Sequence, residues 1–194
     1  SYALNVLQTG VLKMELDDIL TPSKVFEFGL FPLLSELAKP EVIQTDVEGF
    51  SATRGETLSL ISKVFLHYCN SFSPSEMEST WFDILDNINI FHKLNIRDND
   101  KFTEASMELL KNMFLVLQSN ETLVKGSKLW NLSLEKVSIS FPTFKNEIME
   151  NAEETDKEAK SEGSILANNE EEKQESTKEV ESKEPDSSKP AEAI

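Results

Sequence analysis

The chain has 194 residues, of which 35 are acidic and 19 are basic, so its formal net charge is −16. This excess of carboxylates argues against a nucleic-acid-binding surface or a polybasic membrane patch, because both require clustered lysine and arginine. Cys69 is the sole cysteine, which excludes an intrachain disulfide and a cysteine-based zinc site, and no apolar run reaches the length of a transmembrane helix.

The composition changes near residue 150 and divides the sequence into two segments. Every aromatic residue and every methionine precedes residue 151. Residues 151–194 carry 14 acidic and 6 basic groups and only four Leu, Ile, Val or Phe residues. Such a segment cannot bury enough apolar surface to offset its ordering entropy. We therefore expect a helical-repeat domain over residues 1–150 and a disordered acidic tail over residues 151–194.

Apolar side chains recur at helical spacing throughout the first segment and predict six or seven amphipathic helices. The first lies around Leu4 to Val11, and the second follows Thr21-Pro22, a helix-start pattern. Pro32 lies inside the second pattern and predicts that this helix is kinked or split near Gly29. The later apolar stripes are Leu58, Ile61, Phe65, Tyr68 and Phe72; Met77, Trp81, Ile84, Ile88 and Phe91; Ala105, Leu109, Met113 and Val116; and Trp130, Leu134, Val137 and Phe141.

This helix pattern predicts an all-α fold, specifically a HEAT/armadillo-like α-solenoid of antiparallel helix pairs with a period of about 40–47 residues. A plain helical bundle is the alternative, because no internal sequence repeat is visible. The widest apolar stripes supply the predicted core, which is Phe31, Leu34, Leu58, Ile61, Phe65, Trp81, Ile84, Leu85, Ile88, Leu109, Met113 and Trp130.

The apolar block from Phe26 to Leu34 has two interpretations. It could insert at a membrane interface, but it lacks the Lys and Arg face that interfacial helices carry. Packing in the core is therefore the favoured interpretation.

Residues that could support catalysis or metal binding are sparse. His67 and Cys69 are two positions apart and thus on different faces of a helix. Asp98, Asp100 and Glu104 lack the ligand spacing and the glycine of an EF-hand loop. The six glycines are scattered and form no phosphate-binding loop. We expect no catalytic, cofactor-binding or metal-binding site.

Several blocks of this sequence occur in the same order in one known family. The blocks are Phe31-Pro32-Leu33-Leu34, Thr53-Arg54 followed by Leu60–Leu66, Trp81–Asp86, Glu104-Ala105 followed by Glu108–Val116, and Leu129-Trp130 followed by Phe141-Pro142. Together they resemble the C-terminal helical-repeat region of large Arf guanine-nucleotide exchange factors of the Golgi brefeldin A-resistance type. The resemblance covers residues 1–149.

The resemblance implies a non-catalytic regulatory or interaction segment, cut from a longer cytosolic protein that associates peripherally with Golgi membranes. The implied parent acts in ER–Golgi and intra-Golgi vesicle transport and engages the Arf GTPase through a catalytic domain that this sequence does not contain. Further implied partners are upstream helical repeats of the same chain, a Golgi lipid or a membrane-protein receptor. The parent could be homodimeric, and no nucleic-acid partner is implied.

Two functions outside the family are the alternatives. A stand-alone α-solenoid adaptor would bind a peptide or protein partner between helix pairs. An enzyme would need a polar constellation, which the sequence does not supply. Arg54, Lys63 and Lys111 do not require burial and could share one face that binds an acidic partner or a lipid headgroup. Solubility and pairing along the helix are the simpler explanation of these three cations.

Overall fold

The computed structural model describes residues 2–17, 19–45, 47–94 and 100–149. In this part the chain forms helices and no strand, which confirms the all-α prediction. The helices are α1 (Tyr2–Leu12), α2 (Pro22–Val25), α3 (Phe31–Leu37), α4 (Pro40–Thr45), α5 (Val47–Tyr68), α6 (Pro74–Lys93), α7 (Asp100–Ser119) and α8 (Lys128–Ser138). The chain divides into two compact units, Ser1–Asn146 and Glu147–Ile194, and the first contains all of these helices. The tail expected over residues 151–194 lies outside the described residues.

A π-helical turn over Phe26–Leu30 joins α2 to α3. Pro32 explains this turn, because it has no N–H to donate and its ring would clash with the carbonyl group of Phe28 in a regular helix. The Phe31 N–H instead donates to the carbonyl of Phe26, five residues back. The irregularity predicted near Gly29 is therefore confirmed, as a wider turn within a continuing helix. Phe26, Leu30 and Leu34 are buried, as the core interpretation expects, whereas Phe28 is 71% exposed.

The long helices α5 and α7 run parallel to each other. In the first half of α5 and near the start of α7, a side-chain carbon added at Gly55 would lie 3.9 Å from the Phe102 ring. Just beyond the end of both, the Asn120 side chain donates to the Cys69 sulfur across 3.6 Å. Contacts at matching ends fix the parallel direction.

Helices α6 and α8 are also parallel, and they form a second layer. The Trp81 Nε1 donates to the Ser133 Oγ at 2.7 Å. About one turn further along both helices, Lys136 forms a salt bridge of 2.6 Å with Asp86. Because α6 doubles back on α5, the chain forms successive antiparallel pairs, α5 with α6 and α7 with α8.

These two layers establish the α-solenoid arrangement expected from the sequence. The repeat is longer than expected, since α5 begins at Val47 and α7 only at Asp100. Helix α1 packs against α5. The Tyr68 hydroxyl at the end of α5 donates a hydrogen bond to the Val11 carbonyl of α1 at 2.7 Å.

A chain of aromatic rings crosses the helix pairs and forms the centre of the core. Phe26 contacts Phe65 edge-on at 6.1 Å, and Phe65 stacks on Trp81 at 5.6 Å with an interplanar angle of 17°. Trp81 in turn meets Phe114 at 5.4 Å, and Phe114 meets Trp130 at 5.5 Å. Offset and edge-on ring pairs of this kind stabilise a core beyond their buried area.

Most of the residues predicted for the core are buried. Those below 5% exposure are Leu34, Leu58, Ile61, Phe65, Trp81, Ile84, Leu85, Ile88, Met113 and Trp130. Phe31 and Leu109 differ, because they are only half-buried. Phe31 follows the π-helical turn, where Leu30 takes the inward position, and Leu110 replaces Leu109 as the inward residue of α7.

Ser133 is a buried polar residue that connects the two layers. Its hydroxyl accepts the Trp81 hydrogen bond and donates to the Leu129 carbonyl at 2.7 Å. Ser133→Ala is expected to lower the free energy of unfolding by about 1–3 kcal/mol, since it leaves the indole N–H unsatisfied. Urea unfolding would measure the change. Ser138→Ala is the matched control: the Ser138 hydroxyl bonds only its own helix, to Leu134. Equal effects of the two variants would contradict the assigned role of Ser133.

Candidate binding groove between α5 and α7

The three cations singled out in the sequence occupy different environments. Lys63 is exposed on α5, and Lys111 on α7 is half-buried and makes interactions within the structure. Arg54 is only 2% exposed. The expectation of one exposed face formed by all three is therefore wrong for Arg54, because its side chain points into the packing between helices.

Arg54 holds three helices together. Its guanidinium carbon lies 5.9 Å from the ring centroids of both Phe91 and Phe102, within the range of a cation–π interaction. Its Nη1 donates to the Leu94 carbonyl at 3.4 Å, and its Nε donates to the Phe50 carbonyl at 3.3 Å. Burial lowers the pKa of Arg54 from its ordinary value. An arginine nevertheless stays protonated at neutral pH, so a buried positive charge joins α5, the end of α6 and the start of α7.

A groove with a volume of about 560 Å³ runs between α5 and α7. Small side chains on both helices create it: Gly55, Ser59 and Ser62 from α5, and Ala105 and Ser106 from α7. This volume lies within the range of about 300–1,000 Å³ that is typical of ligand-binding clefts.

The groove combines apolar and polar surface. Leu58 and Leu109 supply the apolar surface, while Lys63, Glu108 and Asn112 supply polar groups. Lys63 thus lines the groove, whereas Lys111 and Arg54 do not. The half-burial of Leu109 has its explanation here, since this side chain faces the groove instead of the core.

The sequence contains a signal for this groove that a search for apolar stripes overlooks. Gly55, Ser59 and Ser62 are spaced by four and three residues, which places small side chains on one face of α5. Ala105, Leu109 and Asn112 follow the same spacing on α7. Their meeting across two parallel helices is evident only in the tertiary structure.

The other candidate chemical groups do not form a site. His67 is exposed and packs edge-on against Tyr68, whereas Cys69 is buried with its sulfur beside Asn70 and Asn120. Among the described residues, no three His, Cys, Asp or Glu side chains lie close enough to hold a metal ion. The side chains of Asp98 and Asp100 lie outside that part. None of the described helices is both long and apolar enough to cross a membrane.

Comparisons with known proteins match this chain to one family model and to two guanine-nucleotide exchange factors. The family model described as "GBF1-like, tetratrico peptide repeat region" matches residues 1–144. The "Golgi-specific brefeldin A-resistance guanine nucleotide exchange factor 1 homolog" of Caenorhabditis elegans is 30% identical over 114 residues, which are 58% of this chain and 6% of that protein. The "ARF guanine-nucleotide exchange factor GNOM" of Arabidopsis thaliana is 28% identical over 140 residues, covering 68% of this chain and 10% of GNOM. The matched parts thus span a tenth or less of each relative. No solved structure gives a significant match.

Proposed function

Because this chain belongs to the family of GBF1-like tetratrico peptide repeat regions, we propose that it is a non-catalytic regulatory and interaction segment of a large Arf guanine-nucleotide exchange factor. The observation that carries this proposal is the family match over residues 1–144, which spans helices α1 to α8. An α-solenoid presents extended surfaces and grooves for other proteins, which suits an interaction role.

A catalytic domain elsewhere in the longer protein then carries out guanine-nucleotide exchange on the Arf GTPase. The small share of each relative that the chain matches supports this assignment. The segment then contributes to membrane recruitment or to autoregulation in Golgi and ER–Golgi vesicle transport. The parent is cytoplasmic and peripherally attached to Golgi membranes, through a lipid or a membrane-protein receptor.

The outer face of α1 supports contact with upstream helical repeats of the same protein. Tyr2 is 85% exposed and Val6 is 53% exposed, so both leave apolar surface uncovered. A cleft of about 430 Å³ beside them is lined by Val6, Thr9, Gly10 and Lys13, among others. The end of a solenoid normally buries such surface against the preceding repeat or covers it with a polar cap.

A stand-alone adaptor is the second candidate function, and the open α5–α7 groove favours it. Such an adaptor would be monomeric and would not bind dyes that recognise exposed apolar surface. The uncovered Tyr2 and Val6 argue instead for a segment that packs on further repeats.

A deletion in the full-length exchange factor tests the proposal. Removal of residues 1–149 is expected to reduce Golgi localisation in cells or to change Arf exchange on liposomes. Exchange by the catalytic domain in solution should stay within about twofold of its original rate, as for a remote non-catalytic segment. Removal of residues 151–194 alone is the matched control. Unchanged localisation and exchange would contradict the proposal, as would nucleotide release from Arf promoted by the purified 194-residue chain.

A further inference from the structure

An exposed serine–proline pair lies in the connection between α5 and α6. Ser73 and Pro74 are both exposed, and so is Ser75. Ser73 has an extended backbone, with φ −66° and ψ 154°. An enzyme that modifies a side chain has to reach it on an exposed segment, and the connections between helices supply such segments. The Ser73 hydroxyl meets this requirement.

Ser73 differs from the other hydroxyl residue that precedes a proline. The sequence contains seven prolines, and Thr21 and Ser73 are the two hydroxyl residues that directly precede one. Thr21 is half-buried, and the Pro22 side chain is buried at the start of α2. The dipeptide at the start of α2 is therefore covered, whereas the dipeptide at the start of α6 is open to solvent.

A carboxylate lies directly beside the Ser73 hydroxyl. That hydroxyl donates a hydrogen bond to Glu76 Oε2, which also accepts the Ser73 N–H at 3.2 Å, and the two residues form the capping box of α6. The hydrogen bond from the hydroxyl is the main cause that lowers the pKa of Glu76 from its ordinary value. Glu76 is thus ionised at neutral pH, and its negative charge adjoins the Ser73 oxygen.

The hydrogen bonds of the Ser73 segment are easily opened. Those between Ser73 and Glu76 are exposed to solvent, where water replaces them at small cost. The Ser73 carbonyl accepts a helical hydrogen bond from the Met77 N–H at 2.9 Å, and Pro74 has no N–H. Because the end of a helix opens more easily than its interior, a modifying enzyme can bind this segment in an extended form.

We propose that Ser73 is a phosphorylation site for a serine/threonine protein kinase that accepts proline at the next position, and that the phosphate replaces Glu76 as the cap of α6. The Ser73 oxygen attacks the γ-phosphorus of ATP, an O–P bond forms, the bond from that phosphorus to the β-phosphate oxygen breaks, and ADP leaves. The hydroxyl proton passes to the catalytic carboxylate of the kinase. Because Pro74 offers no N–H, the kinase has to accept this residue without a hydrogen bond from it.

A phosphate on Ser73 changes the charge at the start of α6. Phosphoserine carries about −1.5 to −2 charges at neutral pH and lacks the hydroxyl proton that Ser73 donates to Glu76. The Glu76 carboxylate then loses a donor and meets a like charge at close range. Helix N-termini attract anions, so the phosphate takes the place of the carboxylate as the cap of α6. We expect the carboxylate to turn away toward solvent.

Kinase reactions on the complete chain test the site. A mitogen-activated and a cyclin-dependent protein kinase, each active on a standard substrate protein in the same buffer with Mg²⁺ and ATP, serve as probes. Tandem mass spectrometry should place the phosphate on Ser73 and leave Thr21 unmodified. Ser73→Ala should lower phosphate incorporation by about tenfold or more, because the acceptor oxygen is absent. Ser75→Ala removes the neighbouring exposed hydroxyl as the matched control and should change incorporation by less than about twofold.

Phosphorus NMR of the phosphorylated chain tests the contact with Glu76. The midpoint of the phosphate titration should lie about half a pH unit higher in the wild type than in Glu76→Gln, as expected for a unit negative charge about 5 Å away in water. Glu76→Gln is suited to this comparison because glutamine preserves the capping box and removes only the charge.

Two results would overturn the assignment of Ser73. One is the absence of phosphate on Ser73 with both kinases, and the other is phosphorylation of Thr21 in preference to Ser73. An equal titration midpoint in the wild type and in Glu76→Gln would overturn the replacement of Glu76 as the cap. These measurements use neither Arf nor Golgi membranes, so their failure is distinguishable from a failure of the deletion experiment in the full-length exchange factor.

Discussion

Replacement of Trp81 by alanine is expected to lower the free energy of unfolding by about 3–5 kcal/mol, the range for removing a large buried aromatic side chain. Trp81 has no exposed surface and lies between Phe65 and Phe114 at the centre of the aromatic chain. The variant also removes the indole donor to Ser133. A cavity therefore forms where α5, α6 and α7 meet, and much of the stability of a typical domain, about 5–15 kcal/mol, is lost.

Urea unfolding followed by far-ultraviolet circular dichroism is the suitable measurement, because the substitution itself changes tryptophan fluorescence. Ile90→Ala is a matched control on the same helix, since Ile90 is 44% exposed and should cost less than about 1 kcal/mol. Trp130, which is 2% exposed and contacts Phe114, should behave like Trp81. A loss below about 1 kcal/mol for Trp81→Ala would contradict the described core.

The second large effect is expected at Arg54. Arg54→Ala should lower the free energy of unfolding by about 2–4 kcal/mol, because it removes contacts with two rings and leaves a cavity between three helices. Arg54→Glu should cost more, since it buries an unpaired carboxylate beside the Leu94 carbonyl. Arg54→Lys keeps the charge but loses the flat guanidinium between Phe91 and Phe102, so it should rescue only part of the loss.

Lys63→Glu is the control for Arg54, because it reverses an exposed charge on the same helix. It should change the free energy of unfolding by less than about 0.5 kcal/mol. Arg54 variants should therefore destabilise the chain, whereas Lys63 variants should leave its stability unchanged. An Arg54→Ala chain as stable as the wild type would show that the buried cation does not hold α5, α6 and α7 together.

Local sequence patterns predicted the helices well because a helix places residues three and four apart on one face. Trp81, Ile84 and Ile88 follow that spacing, and all three are buried. The effect of Pro32 was also predictable, since its missing N–H has a local consequence. At Phe31 the same reasoning failed, because the π-helical turn that accommodates Pro32 changes which residue faces inward.

The environment of charged and small residues could not be predicted in the same way. The sequence suggested that Arg54 could share one face with Lys63 and Lys111, because an arginine does not require burial. Its burial depends on Phe91 and Phe102, which belong to two other helices. The groove depends likewise on small residues of α5 meeting small residues of α7.

The sequence by itself determined the all-α class, the helix faces and the family, because these are properties of periodicity and of residue order. The tertiary structure alone decided that α5 and α7 lie parallel, that Arg54 is enclosed and that Ser62 and Ser106 open to a groove. The physical reason is that parallel register arises from contacts between residues far apart in the chain, such as Arg54 with Phe102 and Cys69 with Asn120. No local pattern encodes which faces of two distant helices will meet.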